Sequence, residues 1–286
     1  MHTFSSYRLP AMAACIFHFA AGALLPLAAG AQRPLAPLPP AKHPFIVVAH
    51  RGDHTQAPEN TLAAYANAIN AGADYVEIDL RTTADSQLVI MHDVSVDRMT
   101  NGHGLVKDLA YDSLRRLKVS NKQHPEWGEF DIPTFSQVLE LCKDKIYIYL
   151  DFKNADPAVA YREISRYGMQ RQVVVYINAP LQFSGWRNAA PAMPLMVSLP
   201  GNSRDTAAFN SFLDRYHPEI LDGRSDEYTE EMVRTATARG YLVLPDIQGA
   251  GEGPAVWEPA IRKEIRGLQT DHPGDLIAWL KEKRLR

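Results

Sequence analysis

Glu77 and Asp79 stand two apart in a run, Asp74 to Leu80, that reads as a β-strand. Both carboxylates therefore leave one face of the pleat, while Val76, Ile78 and Leu80 leave the other. Two acids on one face repel each other and lose solvation, and a hard cation that takes oxygen ligands relieves both costs. Ile146 to Lys153 repeats the device, with Asp151 and Lys153 on one face and Ile148, Leu150 and Phe152 on the opposite one. An inward acid and an inward lysine beside a cation suit an anionic substrate. Two imidazoles come from neighbouring segments. Leu88 to His92 follows Leu80 too closely for a parallel crossover, so the two strands form a hairpin. A two-residue turn at Asp85-Ser86 puts His92 opposite Asp79, with Cβ atoms about 5 Å apart. A slip of one residue would turn that imidazole away. The strand Phe45 to Ala49 ends in His50-Arg51-Gly52, which brings a second imidazole and a guanidinium to the same rim.

The elements that must position these groups alternate along the chain. Phe45 to Ala49 is a short apolar run, as a strand covered on both faces requires. A helix follows, capped by Asn60, with Leu62, Tyr65, Ala66 and Ile69 on one face and Gly72 at its end. Further helices are predicted over Phe135 to Leu141 and Asp156 to Tyr167, the latter with Pro157 in its first turn and Gly168 after it. Later strands are predicted at 172–177, 195–198, 219–221, 241–245 and 267–270, and the last helix is given Asp275 as its cap. Setting the hairpin strand aside leaves eight strands, each followed by a helix. That is the arithmetic of an α/β fold of the TIM (β/α)8 barrel type, with an insertion of roughly fifty residues, about 82–132, between the second strand and second helix. An open doubly wound sheet shares the same periodicity.

The chain has 286 residues, 46% of them hydrophobic, and a net charge of −3, so it lacks the basic footprint that nucleic-acid binding requires. Residues 1–31 read as a signal peptide. Arg8 is their only charged side chain, an apolar run spans Ala11 to Leu27, and Ala29-Gly30-Ala31 ends the pattern. Cleavage there implies an exported protein, periplasmic or secreted, with no stable membrane insertion afterwards. Cys142 would then be its one remaining cysteine, a buried inert thiol with no disulfide partner. Residues 32–44, with five prolines, read as an extended linker to a domain spanning 45–286.

These residues resemble the glycerophosphodiester phosphodiesterase family, among the phospholipase-C-like phosphodiesterase TIM barrels. The matching motifs are H-R-G at 50–52, P-E-N-T at 58–61, G-A-D-Y-V-E-I-D at 72–79, H-D at 92–93 with D-R-M-T-N-G-H-G at 97–104, and T-D-H-P at 270–273. The resemblance implies a metal-dependent phosphoric diester hydrolase with His50 and His92 as the acid and base pair. It implies Glu77, Asp79 and Asp151 around one divalent cation, Mg²⁺ or Ca²⁺, and Arg51 and Lys153 on the phosphate. Glu59 is read as a charge partner of Arg51, and His54, His103 and Asp93 as loop residues satisfied locally. The implied substrate is a small glycerophosphodiester, cleaved to sn-glycerol 3-phosphate and an alcohol. Asp151 stands where most members of the family have Glu, and resembles the Asp-x-Lys of sphingomyelinase D-like enzymes. A phospholipase D-like activity on lysophospholipid or sphingomyelin is the alternative, although those enzymes lack the large insertion. A non-catalytic phosphodiester-binding protein would have lost an imidazole or a metal carboxylate. Two further departures, Val243-Leu244-Pro245-Asp246 and Tyr176-Ile177-Asn178, fall on the alcohol side of the pocket.

Overall fold

The computed structural model describes residues 34–201, 205–249 and 251–286, so the expected signal peptide lies outside the described residues. These described residues form one compact unit.

Eight parallel strands make the barrel: β1 (Ile46–Ala49), β2 (Tyr75–Thr82), β6 (Tyr147–Asn154), β7 (Val173–Ile177), β8 (Leu195–Ser198), β9 (Ile220–Asp222), β10 (Leu242–Val243) and β11 (Gly267–Thr270). They pair in the order β10-β9-β8-β7-β6-β2-β1-β11, and a parallel bridge from Asp246 to Gln269 brings the two ends of the sheet together. Each barrel strand is followed by a helix, in turn α1 (Leu62–Ala71), α3 (Phe135–Cys142), α4 (Pro157–Arg166), α5 (Pro180–Ala189), α6 (Thr206–Tyr216), α7 (Glu230–Ala238), α8 (Pro254–Arg262) and α9 (Pro273–Glu282). The excursion between β2 and α3 carries β3 (Leu88–Ile90), α2 (Tyr111–Leu114) and a small antiparallel pair, β4 (Lys118–Val119) with β5 (Phe130–Asp131). It has its own core of Val89, Met91, Val96, Met99, Val106, Leu114, Val119 and Ile132.

Strand alternation divides the apolar residues between two cores. On β1, Val47 and Ala49 join the layer between sheet and helices, while Ile46 and Val48 turn into the barrel. There they meet Tyr75, Tyr149, Val174, Met196, Ile220 and Leu244, which fill the end of the barrel where its strands begin. Residues 34–41 carry no helix or strand, yet they are docked. Leu38 packs on that inner cluster, and the Ala36 N–H donates to Glu219 Oε1 at 2.9 Å. At the same end the buried Asp74 carboxylate accepts from the Val47 N–H and is paired with His43 and Arg286. Cys142 is fully buried and its thiol is pushed up to about 12 by burial, an inert group.

Local signals act largely as their chemistry dictates. Asp156 accepts from the Ala158 and Val159 N–H groups with Pro157 behind it, and Gly72 ends α1 in the left-handed region at φ 84°. Three expectations are corrected. The cap of α1 is Thr61, whose side chain accepts from Ala64; Asn60 sits one residue earlier at φ 57° and is a site residue. Helix α9 starts after His272 with Pro273 first, so Asp275 lies in its first turn. The hairpin loop has three residues, Ala84 to Ser86, because Thr83 N–H bonds Gln87 O and Ser86 takes φ 65°. Leu80 therefore faces Ile90, and Asp79 faces Met91 instead of His92.

Candidate active site

A pocket of about 250 Å³ opens at the end of the barrel where the strands finish. Its walls carry Glu77 and Asp79 on β2, Asp151 and Lys153 on β6 and Asp222 on β9, which follow the apolar inner cluster on the same strands, together with Gln269 on β11. His50 and His92 also line it.

His92 reaches the pocket despite the shifted register because it lies beyond the last residue of β3, where pleat alternation no longer dictates its direction. Arg81, which follows Asp79 on the same pleat face of β2, holds this turn. Its Nε donates to Met91 O at 2.9 Å, and its Nη2 donates to His92 O at 2.5 Å. His50 follows β1, and its backbone N–H donates to Thr270 O on β11. Arg51 takes φ 53° in the sharp exit; its N–H donates to Glu77 Oε2 at 2.7 Å. Gly52 continues the turn at φ 85°, where a Cβ would stand 2.8 Å from the Ala64 backbone, so no larger residue fits.

Each imidazole is mounted on a carboxylate. His50 Nδ1 lies 2.7 Å from Asp271 Oδ1, and His92 Nδ1 lies 2.7 Å from Asp93 Oδ1. An ionised carboxylate only accepts, so Nδ1 carries the proton in both rings and Nε2 is left for other work. The mounts differ in their third member. Asp271 also accepts from His54 Nε2 at 3.0 Å, whereas Asp93 is held by Arg98, which also binds Glu59. Glu59 in turn accepts from Arg51 Nη1 at 3.0 Å. Glu59 is thus a charge partner of Arg51, and that guanidinium is turned toward it; Arg51 does not line the pocket.

Oxygen atoms of Glu77, Asp79 and Asp151 lie within 4.8 Å of one another, a set that could hold a metal ion. Burial, then the charges of Asp79 and Asp151, pushes the Glu77 carboxyl well above its usual range. Burial opposes ionisation of Asp79 too, but Lys153, His92 and Arg51 outweigh it and hold the group at about 2. Burial raises Asp151 against the pull of Lys153, whose Nζ lies 2.5 Å from Asp151 and 3.1 Å from Asp79. Two of three close carboxyls are thus strained in their ionised form, and oxygen donors so disposed fit a hard divalent cation. Asn60 Nδ2 donates to Asp79 Oδ2 at 2.6 Å and Asn178 Nδ2 to Asp151 Oδ1 at 2.6 Å, which orients both groups. Burial, with Arg51 and Lys153, lowers His92 below the usual imidazole value, and only Asp79 and Asp93 oppose the shift. His54 moves the other way: burial is outweighed by its bond to Asp271.

All eight expected site residues converge here, Arg51 and Glu59 from behind the lining. Asp93, read as a locally satisfied loop residue, instead mounts His92, and His54 shares with His50 the carboxylate of Asp271; His103 is exposed and bonds Asp97. Asn60, Asp271, Asp222 and the Arg81 clamp are additions. The T-D-H-P motif pointed to Asp271, and Arg81 shares the pleat face of Glu77 and Asp79.

A family model, the glycerophosphoryl diester phosphodiesterase family, matches residues 50–274. A glycerophosphodiester phosphodiesterase of Caldanaerobacter subterraneus subsp. tengcongensis is 43% identical over 103 residues, 36% of this chain and 42% of that relative's length. The chain thus spans less than half the length of that relative. A Mycobacterium tuberculosis protein named "Probable glycerophosphodiester phosphodiesterase 1" is 31% identical over 85% of this chain and 95% of its own. A solved Oleispira antarctica phosphodiesterase, in complex with the product sn-glycerol-3-phosphate, shares the fold with a TM-score of 0.73 at 21% identity, over 82% of this chain and 96% of that one. With the motifs, the barrel and these matches in agreement, the chain belongs to the glycerophosphoryl diester phosphodiesterase family.

Proposed function

We propose that the chain is a metal-dependent phosphodiesterase that hydrolyses a glycerophosphodiester. The oxygen of water attacks phosphorus, the bond from phosphorus to the alcohol oxygen breaks, and sn-glycerol 3-phosphate and a free alcohol leave. One observation carries this reading. Two imidazoles, each held through Nδ1 by an aspartate, face one pocket together with a three-carboxylate cluster and a lysine. The product seen in the Oleispira antarctica phosphodiesterase of the same fold supports it.

Glu77, Asp79 and Asp151 would hold Mg²⁺ or Ca²⁺, which when bound offsets charge building on the phosphoryl oxygens. Lys153 adds a fixed cation to the same pocket, and Arg51 a second behind its wall. One imidazole takes the proton of the attacking water and the other returns a proton to the leaving oxygen, each contributing about 10²–10⁴-fold. The carboxylates on Nδ1 keep both rings in the tautomer that presents Nε2. Arg81 fixes the backbone from which His92 projects. The apolar run within residues 1–31 supports export, and amino-terminal sequencing of the mature protein, expected to begin after Ala31, tests that part.

The activity test is release of the free alcohol from a panel of glycerophosphodiesters, with sn-glycerol 3-phosphate as the second product, alongside release of choline from lysophosphatidylcholine. Turnover of a diester, its loss in chelator and its return with Mg²⁺ or Ca²⁺ are expected. Undiminished turnover in chelated protein overturns the metal assignment, and turnover of the lysolipid alone overturns the substrate class.

A further inference from the structure

The pocket has a second half that the phosphoryl chemistry does not use. Asp222, Asp246 and Gln269 line it with Tyr149, Tyr176 and Gln248. Five carboxylates line the pocket as a whole against one lysine, and Lys153 pairs with Asp79 and Asp151 on the opposite side. A divalent ion among Glu77, Asp79 and Asp151 would leave Asp222 without a cation and Asp246 with only the His50 imidazole.

Their hydrogen bonds make the shortage specific. Tyr149 Oη donates to Asp222 Oδ2 at 2.9 Å, while Asp222 Oδ1 is buried with no hydrogen-bond partner. Gln269 spends its amide on Asp246 Oδ1 at 2.5 Å, and its own Oε1 is a second buried acceptor without a donor. Gln248 also approaches Asp246 Oδ1, at 3.3 Å, so Oδ2 receives no donor among the described residues. Three acceptors, two of them on acids, thus converge without a matching donor. Burial and then its neighbour Asp246 push Asp222 well above the usual carboxylate range, and burial raises Asp246. Hydroxyl groups of a ligand would fill the acceptors but leave the charge. A protonated amine supplies both donors and charge, and the Tyr149 and Tyr176 rings, 5.8 Å apart, offer it aromatic faces.

We propose that this half of the pocket recognises a primary ammonium group on the alcohol that the reaction releases, so that the preferred diesters are those of amino alcohols. This rests on the phosphodiesterase reading above. Asp222 and Asp246 then determine specificity, with Gln269 as an additional acceptor.

The test compares kcat/KM for the 2-aminoethyl ester of glycerol phosphate and its 2-hydroxyethyl isostere, which differ in one group. An amine preference of at least tenfold is expected, with the trimethylammonium ester between the two because it carries the charge without N–H donors. In Asp222→Asn and Asp246→Asn the amine-to-hydroxyl ratio is expected to fall at least tenfold. A ratio near one in the wild-type protein, or one that both substitutions leave unchanged, overturns the proposal. If no diester is turned over, the phosphodiesterase reading has failed instead. Calorimetry with aminoethyl phosphate against hydroxyethyl phosphate then decides the subsite separately: equal binding overturns it, and amine-selective binding that Asp246→Asn abolishes upholds it.

Discussion

The two ends of the barrel interior are made by the same strands, one pleat repeat apart, and they could hardly differ more. On β2 Tyr75 belongs to the apolar plug, and Glu77 and Asp79 to the pocket; on β9 the switch runs from Ile220 to Asp222, and on β6 Tyr149 stands at the boundary, its ring in the plug and its hydroxyl on Asp222, ahead of Asp151. Two residues advance a strand by roughly 6.6 Å, so this step separates a dry core from a cluster of acids. At the plug end the two buried acids near the strand starts among the described residues are fully engaged, Asp74 by His43, Val47 and Arg286 and Glu219 by Ala36, Arg187 and Leu195. At the pocket end Glu77 and Asp222 are buried with their ionised forms disfavoured. Stability therefore resides at one end and unspent interaction energy at the other, the division expected of a barrel whose ligand sits where strands finish.

The largest test of this division removes an imidazole. His50→Ala or His92→Ala should lower kcat by about 10²-fold or more while leaving the thermal midpoint nearly unchanged, since both side chains are partly exposed at the pocket. A matched midpoint loss would place these residues with the structural end. The converse probe is Met196→Ala, which empties a fully buried position in the plug. It should cost about 2–5 kcal/mol in denaturant unfolding. Activity per folded molecule should survive. Asp271→Asn and Asp93→Asn give a smaller effect, because each weakens the hold on Nδ1 and leaves the imidazole present. A tenfold or greater fall in kcat, with KM little changed, is expected from steady-state kinetics.

Much of the division was legible in the residues. Glu77 and Asp79 betray the inward face of β2 by their spacing, and Tyr75 continues that face into the plug. Positions governed by period two need only local information. His92 shows the limit. Its register depended on whether the hairpin loop had two residues or three, and Ser86 in the left-handed region made it three. The imidazole nonetheless enters the pocket, through the Arg81 clamp beyond the end of β3. Asp271 and His50 are 221 positions apart, and Tyr149 and Asp222 are 73 apart. Contacts of that kind follow from barrel closure, which no local pattern encodes.

The finest test uses the sign of a stability change. Glu77 is fully buried, and its folded-state pKa lies well above its unfolded value, chiefly through burial and then through Asp79 and Asp151. A carboxyl raised on folding binds its proton more tightly in the native state. It therefore costs the metal-free protein stability progressively as pH rises above the unfolded value of 4.5. Glu77→Gln deletes that cost, so at pH 7 in chelator the variant should melt above the parent. With Mg²⁺ or Ca²⁺ the order should reverse, since a ligand that binds only the native state stabilises the parent, and the variant has lost an oxygen anion that would hold it. Lower midpoints for Glu77→Gln under both conditions would assign Glu77 to the structural end, through its bond from the Arg51 N–H. A crossover between the two conditions would separate an acid retained for a ligand from one retained for the fold.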